Sequence, residues 1–227
     1  MILTHGIEIQ GDIVGTAHAL VRRPSAEISR GASIENTGSR IDFEQALTQH
    51  HGYVECLKKQ GLNVIELPPL NGYPDACFVE DTAIVIGRRV LMTRPGALTR
   101  QGEVASVEKA LSPFLEVTWV QAPGTIDGGD VMRVGERIYV GHSNRTNSAG
   151  RACLSAFAAV DGIEVIGVPV IDALHLKSVA CPIADDRIVL LEGAMDPEAF
   201  VDAEVIMVPS GEAAAANIVA LGRTLLM

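Results

Sequence analysis

The chain has 227 residues, of which 48% are apolar and 20% charged, and its formal net charge is −10. That length is enough for one large domain with a sizeable core, and an apolar share this high, without low-complexity tracts, excludes a disordered chain. The negative balance argues against a nucleic acid or an anionic membrane as the main partner and suits a cationic small molecule. The start, Met1-Ile2-Leu3-Thr4-His5, has no basic n-region, and no apolar run approaches the ~18 residues of a membrane span, so a cytoplasmic protein is expected. Cys56, Cys77, Cys153 and Cys181 are widely spaced, with no CxxC pair and no histidine at zinc-finger spacing. They read as reduced thiols, and neither a metal nor a cofactor is expected.

In chain order, Thr16 to Val21 reads as an apolar strand with no partner strand ahead of it. Ser25 to Ser39 is polar, holds Gly31 and Gly38, and is the candidate mobile lid. Asp42 to Gln60 is expected to be a helix, because Phe43, Leu47, Val54 and Leu57 fall near one face and Gly61 supplies a stop. His50 and His51, inside it, read as structural or exposed. Asn63 to Leu67 follows as a strand before Pro68-Pro69. The same succession returns as helix Gln101 to Leu111 with strand Glu116 to Val120, and as helix Thr146 to Val160, capped by Asn147, with strand Glu164 to Val168. A short helix at Pro197 to Phe200 precedes a last such strand, Glu204 to Val208.

Between these elements lie four polar clusters: FVED (Phe78 to Asp81), DGGD (Asp127 to Asp130), HLKS (His175 to Ser178) and AAAN (Ala214 to Asn217). Each runs into an apolar strand, a turn (Gly87-Arg88, Gly135-Glu136, Asp185-Asp186, Gly222-Arg223) and a second apolar run. From Asp81 to Asp130 is 49 residues, from Asp130 to Ser178 is 48 and from Ser178 to Asn217 is 39. A period of that size marks one supersecondary unit used repeatedly. In a closed ring, equivalent points converge on the axis, so these clusters would meet there. The last copy looks incomplete, because the chain stops after its hairpin.

Asp75, Glu80 and Asp81 put three carboxylates within seven residues, and such a cluster requires a cation, donors or a raised pKa. A guanidinium would satisfy it through its planar fork of donors. A solvated acidic turn is the plain alternative. Asp127 and Asp130 flank two glycines; the spacing lacks the ligand pattern of an EF-hand, and an ordinary β-turn stays open. His175 lies between two leucines, where a hydrogen-bonded core histidine is the ordinary reading. Its place at an otherwise acidic point of the repeat favours a catalytic one, with Asp127 holding the ring. Arg94 and Arg145 each follow the last strand of a unit's hairpin and suit a substrate carboxylate. The inventory describes a pocket for a molecule with a cationic and an anionic end.

The stretches LPP, PDACFVEDTA, TRPG, GTIDGGDV, VGHSNRTN, LHLKS and, more loosely, AAAANIV resemble the dimethylarginine dimethylaminohydrolases of the guanidine-modifying (pentein) superfamily, in order from Thr16 to the end. The resemblance implies an α/β fold, a five-unit ββαβ propeller spanning 1–227 as a single domain, and a small guanidino substrate. It implies that Asp75, Glu80 and Asp81 bind the guanidinium and amine, that Arg94 and Arg145 hold the carboxylate, and that His175, oriented by Asp127, is the acid. It also implies a cysteine thiolate that attacks the guanidinium carbon, without metal, on the way to citrulline and an alkylamine. In the family that cysteine lies in the closing unit, and Cys77 matches a variable position. The 227 residues are therefore expected to lack the nucleophile and to be inactive as they stand, shortened rather than a natural pseudoenzyme. An arginine deiminase-like hydrolase and a non-catalytic propeller scaffold remain as rival readings, and monomer and homodimer are both open.

Overall fold

Tight antiparallel hairpins are the recurring element, and three of them turn on a glycine with left-handed backbone: Gly87 (φ 58), Gly135 (φ 54) and Gly222 (φ 56). A side chain is disfavoured there, and two-residue turns of this kind match the twist of the strands they join. The computed structural model describes residues 7–9, 17–31 and 41–227. These sort into two units, Met1–Thr93 with Ala97–Trp119, and Arg94–Gly96 with Val120–Met227.

The first unit holds two sheets. One joins β1 (Ile7–Ile9), β2 (His18–Arg22) and β3 (Asn63–Leu67), with helix α1 (Phe43–Lys59) as the crossover. The other joins β4 (Ala83–Ile86), β5 (Arg89–Met92) and β6 (Glu116–Trp119), with α2 (Val104–Leu111) between the last two. In each, the first pair is antiparallel and the second parallel, as a helical crossover requires. β1 corrects the expectation that the strand near Thr16 to Val21 has no earlier partner: Ile7 pairs with Leu20 and Ile9 with His18. α1 starts where Asp42 accepts a hydrogen bond from the Gln45 amide at 2.9 Å, and it buries Ala46, His50, Val54 and Leu57 at helical spacing. His50 is thus a core residue. The expected helix at Gln101 to Leu111 is a 3-10 turn, Leu98–Glu103, that continues as α2. Leu20, Val79, Val90, Met92, Val107 and Leu111 form the core here, each worth about 1.5–3 kcal/mol on burial.

The second unit repeats the pattern with β7 (Val131–Val134), β8 (Arg137–His142), α3 (Ser148–Ala159) and β9 (Glu164–Pro169). Asn147 caps α3, accepting from the Gly150 amide at 2.8 Å, as expected. β10 (Ala180–Ala184), β11 (Arg187–Leu191) and β12 (Glu204–Val208) follow, and β13 (Val219–Leu221) with β14 (Thr224–Leu226) forms a two-stranded sheet. Between β11 and β12 the expected helix is only a 3-10 turn, Pro197–Ala199, since Asp196 and Pro197 start a helix that Phe200 leaves with non-helical backbone (φ −98, ψ 87). Phe200 turns inward instead, its ring meeting Tyr139 edge-on at 5.1 Å.

The four polar clusters lie in or beside 3-10 turns at Val79–Thr82, Gly128–Asp130, Leu176–Ser178 and Ser210–Ala216. Each turn opens a hairpin, so the repeat read from sequence corresponds to one recurring structural position. Of the candidate lid, Ile28–Arg30 is a 3-10 turn with Ile28 buried, and the part from 32 to 39 lies outside the described residues. Among the described residues no helix is long and apolar enough to cross a membrane.

Candidate active site

In the second unit, Asp127 and His175 occupy equivalent places, each directly before a 3-10 turn and each in extended backbone. From these places the two side chains meet: His175 Nε2 lies 3.2 Å from Asp127 Oδ2. Asp127 is fully buried and His175 is 9% exposed. The other Asp127 oxygen accepts from the Gly96 amide at 2.8 Å, so the carboxylate is fixed on both sides. Gly96 is placed by close approach: a Cβ there would fall 2.4 Å from the Arg145 carbonyl oxygen.

Asp130, at the end of the same DGGD cluster, is also fully buried. Its Oδ1 accepts from the Leu176 amide at 3.0 Å, and its Oδ2 from the hydroxyls of Thr146, at 2.6 Å, and Ser143. Burial pushes its pKa up against the pull of His175 and these donors. Sequence reasoning gave Asp130 no role, because DGGD reads locally as a turn; its signal was a second carboxylate next to a buried strand.

Arg94 and Arg145 are half-buried in the same unit. Arg94 lies in a β-bridge with Ile126, and its Nη1 donates to the Gly124 carbonyl at 3.4 Å. The Arg145 amide donates to Ser143 Oγ at 3.0 Å. The structure thus gathers Asp127 and His175 directly, and brings the loops of Arg94 and Arg145 together at Gly96.

In the first unit, Asp75, Glu80 and Asp81 lie on one loop ending in the turn Val79–Thr82. Asp75 and Asp81 are buried and Glu80 is half-buried. A guanidinium of the chain itself also lies on this loop: Arg100 Nη1 donates to Asp81 Oδ2. Its Nη2 donates to Glu103 Oε2 at 2.8 Å and to the carbonyls of Asp75 and Phe78 at 3.1 and 3.2 Å. Burial works against the charge on Arg100, but the Asp81 and Glu103 carboxylates outweigh it and hold its pKa above the ordinary arginine value. Arg100 and Glu103 were missed because an Arg-x-x-Glu pair at a helix start resembles an exposed i,i+3 pair.

Cys77 and Cys181 are buried and lack the accessible setting of an activated thiolate. Burial pushes the Cys77 thiol up to about 12, and buried Cys181 donates to the Lys177 carbonyl at 3.3 Å. Cys56 and Cys153 are half-exposed on α1 and α3.

Residues 27–207 match the family model described as N,N dimethylarginine dimethylhydrolase, eukaryotic. The N(G),N(G)-dimethylarginine dimethylaminohydrolase of Streptomyces coelicolor is 42% identical over 172 residues, 75% of this chain and 67% of that protein. The chain belongs to the dimethylarginine dimethylaminohydrolase family. The solved structure of the Pseudomonas aeruginosa family member, a cysteine-to-serine variant complexed with citrulline, superimposes with a TM-score of 0.85 at 32% identity, covering 92% of this chain and 82% of that one. The N-terminal domain of a cyanobacterial arginine dihydrolase matches with a TM-score of 0.79 at 19% identity, covering 91% and 81%, and shows the fold alone. The fold of this dimethylarginine dimethylaminohydrolase family member is thus the α/β fold of the pentein superfamily.

Proposed function

We propose that this chain carries the binding and acid–base machinery of a hydrolase that converts N-omega-methylated arginine to citrulline and an alkylamine. The observation that carries the reading is the buried pair of His175 and Asp127 at 3.2 Å in a chain of this family. The citrulline bound to the Pseudomonas aeruginosa relative supports the product assignment. Asp75, Glu80 and Asp81 receive the guanidinium and amine of the substrate, Arg94 and Arg145 its carboxylate, and Asp127 fixes the imidazole ring. A carboxylate beside an imidazole favours its protonated form, which is the form an acid needs.

The step that fits these groups is attack by a thiolate on the guanidinium carbon. A C–S bond forms, and His175 gives its proton to the leaving nitrogen as the C–N bond to the alkylamine breaks. The neutral imidazole then takes a proton from water, whose oxygen attacks the thiouronium carbon. Loss of the thiolate, with the remaining hydroxyl proton passing to solvent or the released amine, leaves the carbonyl of citrulline. The burial of Cys77 and Cys181 supports excluding them, and the helical settings of Cys56 and Cys153 support excluding those two. The attacking thiolate is none of the four. An alkylamine assay of the natural protein carrying this sequence, on dimethylarginine with arginine as the control substrate, tests the reading: amine from the first and little ammonia from the second is expected.

A further inference from the structure

We infer that Asp130 is a positioning residue that sets both members of the His175–Asp127 pair through one buried carboxylate. This rests on the reading of His175 as the acid. One connection runs to the histidine: Asp130 Oδ1 accepts from the amide of Leu176, the residue that follows His175, at 3.0 Å. The second runs to the aspartate: Thr146 donates its hydroxyl to Asp130 Oδ2 at 2.6 Å, and Thr146 Oγ1 in turn accepts from the Asp127 amide at 3.3 Å. A third fixes the neighbouring loop, because Ser143 donates to Asp130 Oδ2 while its Oγ accepts from the amides of Arg145 and Thr146.

Three donors on one carboxylate demand two acceptor oxygens, and no other side chain of that size supplies them. An asparagine offers one oxygen and one NH₂, so either the Leu176 amide or both hydroxyls lose their acceptor. Thr146 cannot turn freely, because its oxygen is already held by the Asp127 amide. The space is built to the carboxylate as well: a Cβ at Gly141 would fall 2.8 Å from Asp130 Oδ1 and 3.2 Å from Leu176 Cβ. Asp130→Asn therefore keeps the volume and breaks the relay, which separates positioning from packing.

Long-range proton–nitrogen NMR of the imidazoles reads the tautomer of His175 directly. In the wild type, with the ring made neutral at alkaline pH, a single tautomer is expected, and the variant is compared at the same pH. In Asp130→Asn the two ring nitrogens of His175 should move towards a common value, while those of His18 and His50, in the first unit, stay in place. A lowered melting temperature with unchanged His175 signals overturns the inference. If Asp130→Asn does not fold, Ser143→Ala removes one donor of the same clamp: shifted His175 signals support the inference and unshifted ones overturn it. Kinetics on the natural protein carrying this sequence add a second readout. There Asp130→Asn should lower kcat on the order of tenfold to a hundredfold with little change in KM. In a His175→Ala background it should cost nothing more, and a further full loss there overturns the inference. A wild type that does not turn over dimethylarginine would defeat the functional reading, and the NMR result would still decide the role of Asp130.

Discussion

Asp127 faces His175 Nε2 at 3.2 Å with one carboxylate oxygen and holds the Gly96 amide at 2.8 Å with the other. The ring is therefore tied to a carboxylate that cannot rotate away without breaking a second bond. Replacing the imbidazole's partner or the imidazole itself should affect the chemical step more than binding. For His175→Ala, turnover should fall about 10²- to 10⁴-fold while KM changes little. Steady-state kinetics on the natural protein carrying this sequence check this, and a near-normal kcat would remove the acid role.

Gly96 offers a test of loop approach. In Gly96→Ala the new methyl meets the Arg145 backbone, with its oxygen at 2.4 Å and its Cα at 2.6 Å. Neither is a flexible side-chain end, so the loops must separate and the bond from the Gly96 amide to Asp127 must lengthen. Citrulline affinity, measured by calorimetry, should drop at least several-fold; an unchanged affinity would show that the separation does not reach the binding groups.

The Arg100 fork is a stability feature of the acidic loop. Arg100→Met leaves the Asp81 and Glu103 carboxylates buried without their cation, and breaking a buried pair in this way costs about 3–5 kcal/mol. Denaturant unfolding should register a loss of that size. A change below about 1 kcal/mol would mean that the cluster is wetter than its burial indicates.

Asp130 gives a pH dependence with a definite sign. Its pKa is raised by burial, so the folded state holds the proton more tightly than the unfolded state. Its contribution is then most favourable at low pH and is lost as pH rises from the ordinary aspartate range through the raised folded value. The stability of the wild type relative to Asp130→Asn should fall from acidic towards neutral pH in paired unfolding curves, and a difference that grows with pH would contradict the assignment.

Thiol labelling separates the cysteines by setting. Cys56 and Cys153 should react with an alkylating reagent in the native protein, whereas Cys77 and Cys181 should react only on unfolding. Mass spectrometry of labelled peptides reads this directly.

Much of the fold was legible because its signals are local. Glycine turns at Gly87, Gly135 and Gly222 and the Asn147 cap each act within a few residues, and the structure has all four. β1 was not legible, since Ile7–Ile9 is too short to carry a period and gains its identity only by pairing with His18–Arg22. The segment at Pro197 has helix-starting residues, yet burial of Phe200 against Tyr139 ends it after one turn. At the candidate site, the resemblance pointed to His175 and Asp127, and the coordinates bring these two together. Arg100, Glu103 and Asp130 escaped notice because their partners are set by tertiary structure: Arg100 reaches 19 residues back to Asp81, and Asp130 reaches 46 residues ahead to Leu176.

The most direct measurement is product analysis of dimethylarginine incubated with the natural protein carrying this sequence, wild type beside His175→Ala. Equal amounts of citrulline and dimethylamine from the wild type, largely lost in the variant, are the expected result. No dimethylamine from the wild type, or the same yield from both proteins, would contradict the account.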